Sequence, residues 1–168
     1  MKTIKGLLAC LLLPLLLCCC TARNADWFAP FTKNFEAEVD GTIAGEAFSA
    51  LIKSEVCTQG DTAADNLPLV NITFYAPKAL EGTVLTRDTN GEITMTVGGD
   101  MVIKNPTIVG FSDLFGLFPV AGDIKDIQPS DGNTTVTGEN FSVTFQKDGT
   151  PIACSAGSVQ VTVVHFTS

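Results

Sequence analysis

From residue 35 onward the chain alternates. Phe35, Ala37, Val39 and Ile43 are apolar, and Glu36, Glu38, Asp40 and Thr42 stand among them. A period of two predicts a strand with one dry and one wet face. Ala44-Gly45 predicts a tight turn, after which Phe48, Ala50 and Ile52 alternate with Ser49, Leu51 and Lys53. The rhythm returns in Val70, Ile72 and Phe74, which Pro77 ends, and in residues 84–87. Asn90-Gly91 marks a hairpin, because both residues accept positive φ at little cost. Ile93, Met95 and Val97 follow it, and Gly98-Gly99 turns the chain into 101–104. Later strands are predicted at 135–137, at Phe141, Val143 and Phe145, at 151–155 and at 159–166, with Asp148-Gly149 as a turn.

Two segments break this period. Phe111, Leu114, Phe115 and Phe118 stand at i, i+3, i+4 and i+7, one face of a short helix that Pro119 stops. Trp27, Phe28 and Phe31 predict a short N-terminal helix limited by Pro30. Residues 57–66 and 122–133 are polar and contain Gly or Pro, which predicts loops. No crossover-length helix separates the strands, so a mainly β, antiparallel domain with one or two short helices follows.

The first residues have a different character. Lys2 and Lys5 precede an apolar run from Gly6 to Cys20, interrupted by Pro14. This is the order of a secretory signal, too short for a lasting membrane span of roughly 20 residues. The run ends in Leu17-Cys18-Cys19-Cys20. A cysteine directly after a Leu-rich run is where bacterial lipoproteins are acylated. Cys20 fits best, with Leu17 three positions before it, and Cys19 and Cys18 are the alternatives. The competing reading is a secreted protein cut after Ala22. The expected organisation is a signal peptide over 1–19, a lipid-anchored tether with a short helix over 20–34, and one β domain over 35–168. Acyl chains of the palmitate type would hold that domain at the cell membrane.

The 168 residues carry 10 basic and 18 acidic side chains; removing the two leader lysines leaves 8 and 18, a balance of −10. Such a charge argues against nucleic acid as a partner and against electrostatic adhesion to anionic lipid. Of six cysteines only Cys57 and Cys154 lie beyond the leader. In an oxidising compartment a disulfide between them would close a long loop, worth about 4–5 kcal/mol on the chain-entropy account. Two separate buried thiols are the alternative. No close Cys pair survives cleavage, and His165 is the lone histidine, so no metal site and no cofactor are expected.

The opening Phe35-Glu36-Ala37-Glu38-Val39 strand and the Phe74-Tyr75-Ala76-Pro77 strand end carry a resemblance, as does the apolar 111–118 segment between two strand groups. With the closing strands around Asp148-Gly149-Thr150-Pro151, these features resemble the LolA- and LppX-like superfamily of bacterial lipoprotein carriers. Within it the chain looks most like compact, uncharacterised lipoproteins of Gram-positive anaerobes. The resemblance implies a strongly curved antiparallel sheet, an incomplete β-barrel, with short helices packed on or inside it over an apolar hollow. Fold alone does not transfer the carrier function.

Catalytic constellations are weak. His165 with Ser112 and Asp113 would be the one base-nucleophile set, but Ser112 lacks a Gly-x-Ser-x-Gly elbow. Residues 88–92 have the look of a turn rather than a calcium loop, and Asp123, Asp126 and Asp131 that of solvated loop acids. The sequons at Asn71, Asn133 and Asn140 are chance matches in a bacterial lipoprotein. No enzymatic activity is expected. The expected function is binding of a lipid or other apolar ligand at the cell envelope. The lining would be Phe111, Leu114, Phe115 and Phe118 on the helix, and Phe48, Ile52, Phe74 and Met95 opposite. The alternative is a structural or protein-interaction lipoprotein with a filled core, its protein partner unidentified.

Overall fold

Every alternating segment forms a strand in the computed structural model, which describes residues 26–56 and 67–168. The first six strands are β1 (Phe35–Ile43), β2 (Glu46–Glu55), β3 (Leu69–Ala76), β4 (Val84–Arg87), β5 (Ile93–Val97) and β6 (Met101–Lys104). The second group is β7 (Asp126–Ser130), β8 (Asn133–Thr137), β9 (Phe141–Phe145), β10 (Pro151–Ala156) and β11 (Val159–Thr167). All pair antiparallel in one sheet of order β6-β5-β4-β3-β2-β1-β11-β10-β9-β8-β7. Each group is a meander of neighbours in sequence. Their junction is β1 against β11, with Gly41 opposite Val161. Side-chain room is absent there: a Cβ on Gly41 would run into the Gln160 carbonyl and lie 2.7 Å from a Val161 methyl.

The register sorts the side chains into rows. Ala37, Ile52, Ile72, Leu85, Met95 and Ile103 lie opposite one another across β1 to β6. Phe48, Gly41, Val161, Cys154, Val143, Val136 and Ile127 form a row from β2 through β1 to β7. Residues from both meanders belong to one buried cluster. Eleven flat strands would spread over about 48 Å, too wide for one shared core, so the sheet curves around it. Strands β6 and β7 form the two edges and do not pair with each other. The curved, incomplete barrel expected from the sequence is therefore present.

The chain must cross from one edge to the other between β6 and β7. Residues 105–125 make that crossing as a strap over the concave face. They contain a short 3-10 turn, Asp113–Gly116, and no α-helix. This corrects the expected helix over 111–118. The local reason is composition: Gly116 lies within the turn, Gly110 has φ 83°, and Pro119 follows. The packing reason is that Leu117 is as buried as Leu114, so burial is not confined to the one helical face of Phe111, Leu114, Phe115 and Phe118. The N-terminal helix is likewise only a 3-10 turn, Ala29–Phe31.

A second correction concerns residues 122–133, expected as a loop. They contain β7, with Pro129 opposite Thr134. An edge strand tolerates proline, since a missing N–H on the outer side breaks no ladder bond. The leader, the cleavage region with Cys18, Cys19 and Cys20, and the 57–66 segment with Cys57 lie outside the described residues.

Candidate functional site

All eight side chains expected to line a hollow lie in one buried cluster: Phe48, Ile52, Phe74, Met95, Phe111, Leu114, Phe115 and Phe118. The strands supply the first four from the concave face, and the strap supplies the others. The two sets touch. Phe74 stacks on Phe111 at 5.7 Å between ring centres, and Phe48 meets Phe74 edge-on at 5.8 Å. Phe118 meets Phe35 at 5.2 Å and Phe31 at 5.4 Å. In this conformation the strap's rings fill the space beneath it. Sequence reasoning gave Leu117 as added apolar surface but left it out of the lining, and it is fully buried. Sequence reasoning missed Phe31, Phe35, Phe145 and Phe166 as an aromatic group around Phe118.

Between residues 106 and 124 the strap's backbone hydrogen bonds are local. Phe111 N–H donates to the Ile108 carbonyl, Asp113 to Gly110, Phe115 to Ser112 and Leu117 to Leu114. Among the described residues, no backbone bond joins 106–124 to a strand. Side chains provide its fastening. One oxygen of Asp113, Oδ2, accepts from both the backbone N–H and the hydroxyl of Ser158, each at 2.9 Å. Arg87, the final residue of β4, places its guanidinium 5.2 Å from the Phe115 ring centre and donates through Nη1 to the Phe115 carbonyl at 3.4 Å. Burial pushes the arginine pKa below its ordinary value, and the group remains charged.

The open clefts lie elsewhere. One of about 720 Å³ has Trp27, Pro30, Pro129 and Phe145 on its walls and Asp26, Asp131 and Asp148 around them. It holds none of the eight expected lining residues. A smaller one of about 330 Å³ reaches Phe35 and Ser54 at one end of β1 and β2.

The structure separates the one catalytic set considered. His165 pairs with Glu38 on the outer face, while Asp113 sits against Ser158. Seven residue steps along the chain, roughly 23 Å, separate Ser158 from His165. Asp88 caps its own turn, accepting from the backbone N–H of Asn90 at 2.9 Å and of Glu92 at 2.8 Å. Asp126 bonds Gln128 and the Ile127 N–H. Cys154 is buried, which pushes its thiol pKa well up. Among the described residues no acidic, His or Cys cluster is placed to hold a metal, and no helix is long and apolar enough to cross a membrane.

No protein-family model and no curated protein sequence matches the chain. Solved structures do. An uncharacterized conserved protein from Thermus thermophilus is similar at TM-score 0.50 and 14% identity, over 83% of this chain and 80% of that one. A Vibrio parahaemolyticus domain described as outer membrane lipoprotein-sorting is similar at 0.46 and 9% identity, over 87% of each chain. A LolA superfamily protein from Nitrosomonas europaea is similar at 0.39 and 6% identity, over 81% and 86%. At such identities a likeness bears on fold alone. Two of these structural neighbours are thus described as a lipoprotein-sorting domain and a LolA-superfamily protein.

Proposed function

We propose that this protein is an extracytoplasmic lipoprotein that binds, without catalysis, a lipid or other apolar ligand on the concave face of its sheet. Residues 1–19 act as the signal peptide, and Cys20 carries the acyl anchor, with Cys19 and Cys18 as alternatives. Residues 20–34 form the tether and 35–168 the binding domain at the cell membrane. One observation carries the binding reading: the strap covers the concave face with buried apolar side chains yet shares no backbone ladder with it. Lifting it breaks few directed bonds, and an acyl chain restores the apolar contacts that its side chains vacate. The core residues Phe48, Ile52, Phe74 and Met95 then line the ligand from the sheet side.

Native mass spectrometry of the full protein, purified from envelopes without detergent exchange, tests this. The expected result is a population heavier than the covalently modified chain by one lipid. A single ligand-free mass, unchanged after incubation with lipid extract, would refute it. Labelling with a fatty-acid analogue, lost in Cys20→Ala, tests the anchor.

A second reading has its own observation. Edge strand β6 exposes Met101 and Val102, each about 60% accessible, beside an unpaired backbone edge. A structural lipoprotein with a filled core would use that edge to meet a protein partner.

A further inference from the structure

Among the described residues, two buried side-chain polar atoms lack hydrogen-bond partners: Ser54 Oγ and Arg87 Nε. They belong to one row. Phe35 on β1 lies opposite Ser54 on β2, Ser54 opposite Val70 on β3, Val70 opposite Arg87 on β4, and Arg87 opposite Ile93 on β5. Residues directly opposite in antiparallel strands share a face, so this row is concave. It is also terminal. Phe35 and Ile93 begin their strands and Arg87 ends its own, so the row forms the rim of the hollow. Ser54 is only 2% exposed.

Unsatisfied buried donors are costly, and a charged one more so. Among the described residues, none of the three ion pairs involves Arg87. Its one hydrogen bond, to the Phe115 carbonyl, is long and uses Nη1. The Nε edge, Nε–H with the adjoining Nη2, is left. That edge of a guanidinium pairs two-pronged with a carboxylate or a phosphate. Inward from the rim, the next row is apolar throughout: Ile52, Ile72, Leu85 and Met95. Beyond it lie Phe74, Phe48 and Phe111. Three row spacings from Ser54 to Phe48 amount to roughly 20 Å, the scale of a long acyl chain.

We propose that the ligand beneath the strap is an amphiphile with an anionic head, a carboxylate or a phosphate monoester, and that Arg87 and Ser54 receive this head at the rim while the tail runs inward. The assignment rests on the binding reading given above. Arg87 supplies charge and the two-pronged fork, and Ser54 donates its hydroxyl. Two strand spacings, about 10 Å, separate their backbones, a gap that an arginine side chain and a small anion fill together.

Displacement of a neutral apolar fluorophore, N-phenyl-1-naphthylamine, from the delipidated full chain tests this. Dodecanoate, dodecyl phosphate and dodecanol serve as competitors of equal tail length. The expected result is that one or both anions displace the probe at concentrations about tenfold below dodecanol, a difference of about 1.4 kcal/mol. Arg87→Met erases that preference, so that the two anions and dodecanol displace the probe at like concentrations. Arg87→Lys keeps part of it, and Ser54→Ala narrows it. A stronger response to dodecanoate identifies a free-acid head, and a stronger response to dodecyl phosphate a phospholipid-type head. Equal displacement by anion and alcohol, or a preference that survives Arg87→Met, overturns the head assignment and leaves the apolar-ligand reading standing. Failure of the probe and all three competitors to bind overturns both.

Discussion

Asp113 fastens the strap with a single carboxylate oxygen shared by the N–H and the hydroxyl of Ser158. The neighbouring Gly157 makes room for it. Gly157 has φ 53°, and a Cβ there would collide with the Asp113 carboxylate. Asp113→Ala is expected to cost about 1 kcal/mol, since the pair is solvent-exposed. Its clearer sign is local: amide exchange over 111–118 should quicken while β1 to β5 keep their protection. Uniform acceleration across the sheet would show that the contact does not act on the strap. Two other aspartates act on turns. The N–H groups of Glu92, Asn90 and Gly91 hold the Asp88 carboxyl below its ordinary 3.8, and Thr150 does the same for Asp148. A depressed folded-state value means that their stabilisation is complete above 3.8. It is lost as pH falls through the lower, folded-state value. Carboxyl carbon shifts of Asp88 and Asp148 should therefore titrate with midpoints under 3.8, and midpoints at or above 3.8 would contradict the capping geometry.

Among elements, the strap depends most on tertiary packing, because between its two end residues it forms only local backbone bonds. Leu117 is its most deeply buried side chain, together with Leu114. Leu117→Ala should cost about 2–5 kcal/mol, read as a lower urea midpoint at unchanged slope. A loss below about 1 kcal/mol would mean that the strap collapses freely onto the vacancy. The strap also shows where sequence reading stops. Period two revealed β1, β2, β3, β5 and β9, because one face of each is dry. Strand β7 was hidden because only Ile127 among its residues is even partly covered and Pro129 suggests a break. The spacing of Phe111, Leu114, Phe115 and Phe118 gave a helix because periodicity records which side chains need burial, not that Leu117 needs it too. The polar rim was within reach. Continuing Phe48, Ala50, Ile52 by one step arrives at Ser54, and Leu85 by one step at Arg87. Both were passed over because a polar residue in an apolar register looks like the end of the pattern. The contact between Asp113 and Ser158, forty-five residues apart, left no local trace at all.

At the scale of the whole molecule the two margins of the sheet are unlike. Strand β7 presents Asp126 and Pro129, which discourage pairing with another chain, whereas β6 presents Met101, Val102 and Ile103. Association at high concentration should therefore proceed through β6. Val102→Lys should lower light scattering, and a matching change at Gln128 should not; equal effects at both margins would remove β6 from the explanation. The centre of the sheet has a further consequence. Its seam joins the earliest strand to the eleventh, so β1 to β6 and β7 to β10 can each form as the chain emerges, but no strand pairing unites them until β11 arrives. A polypeptide ending at Gly157 is not a slightly shorter version of this protein. It is a six-stranded fragment and a four-stranded fragment, each with its greasy side bare, tied together by a leash.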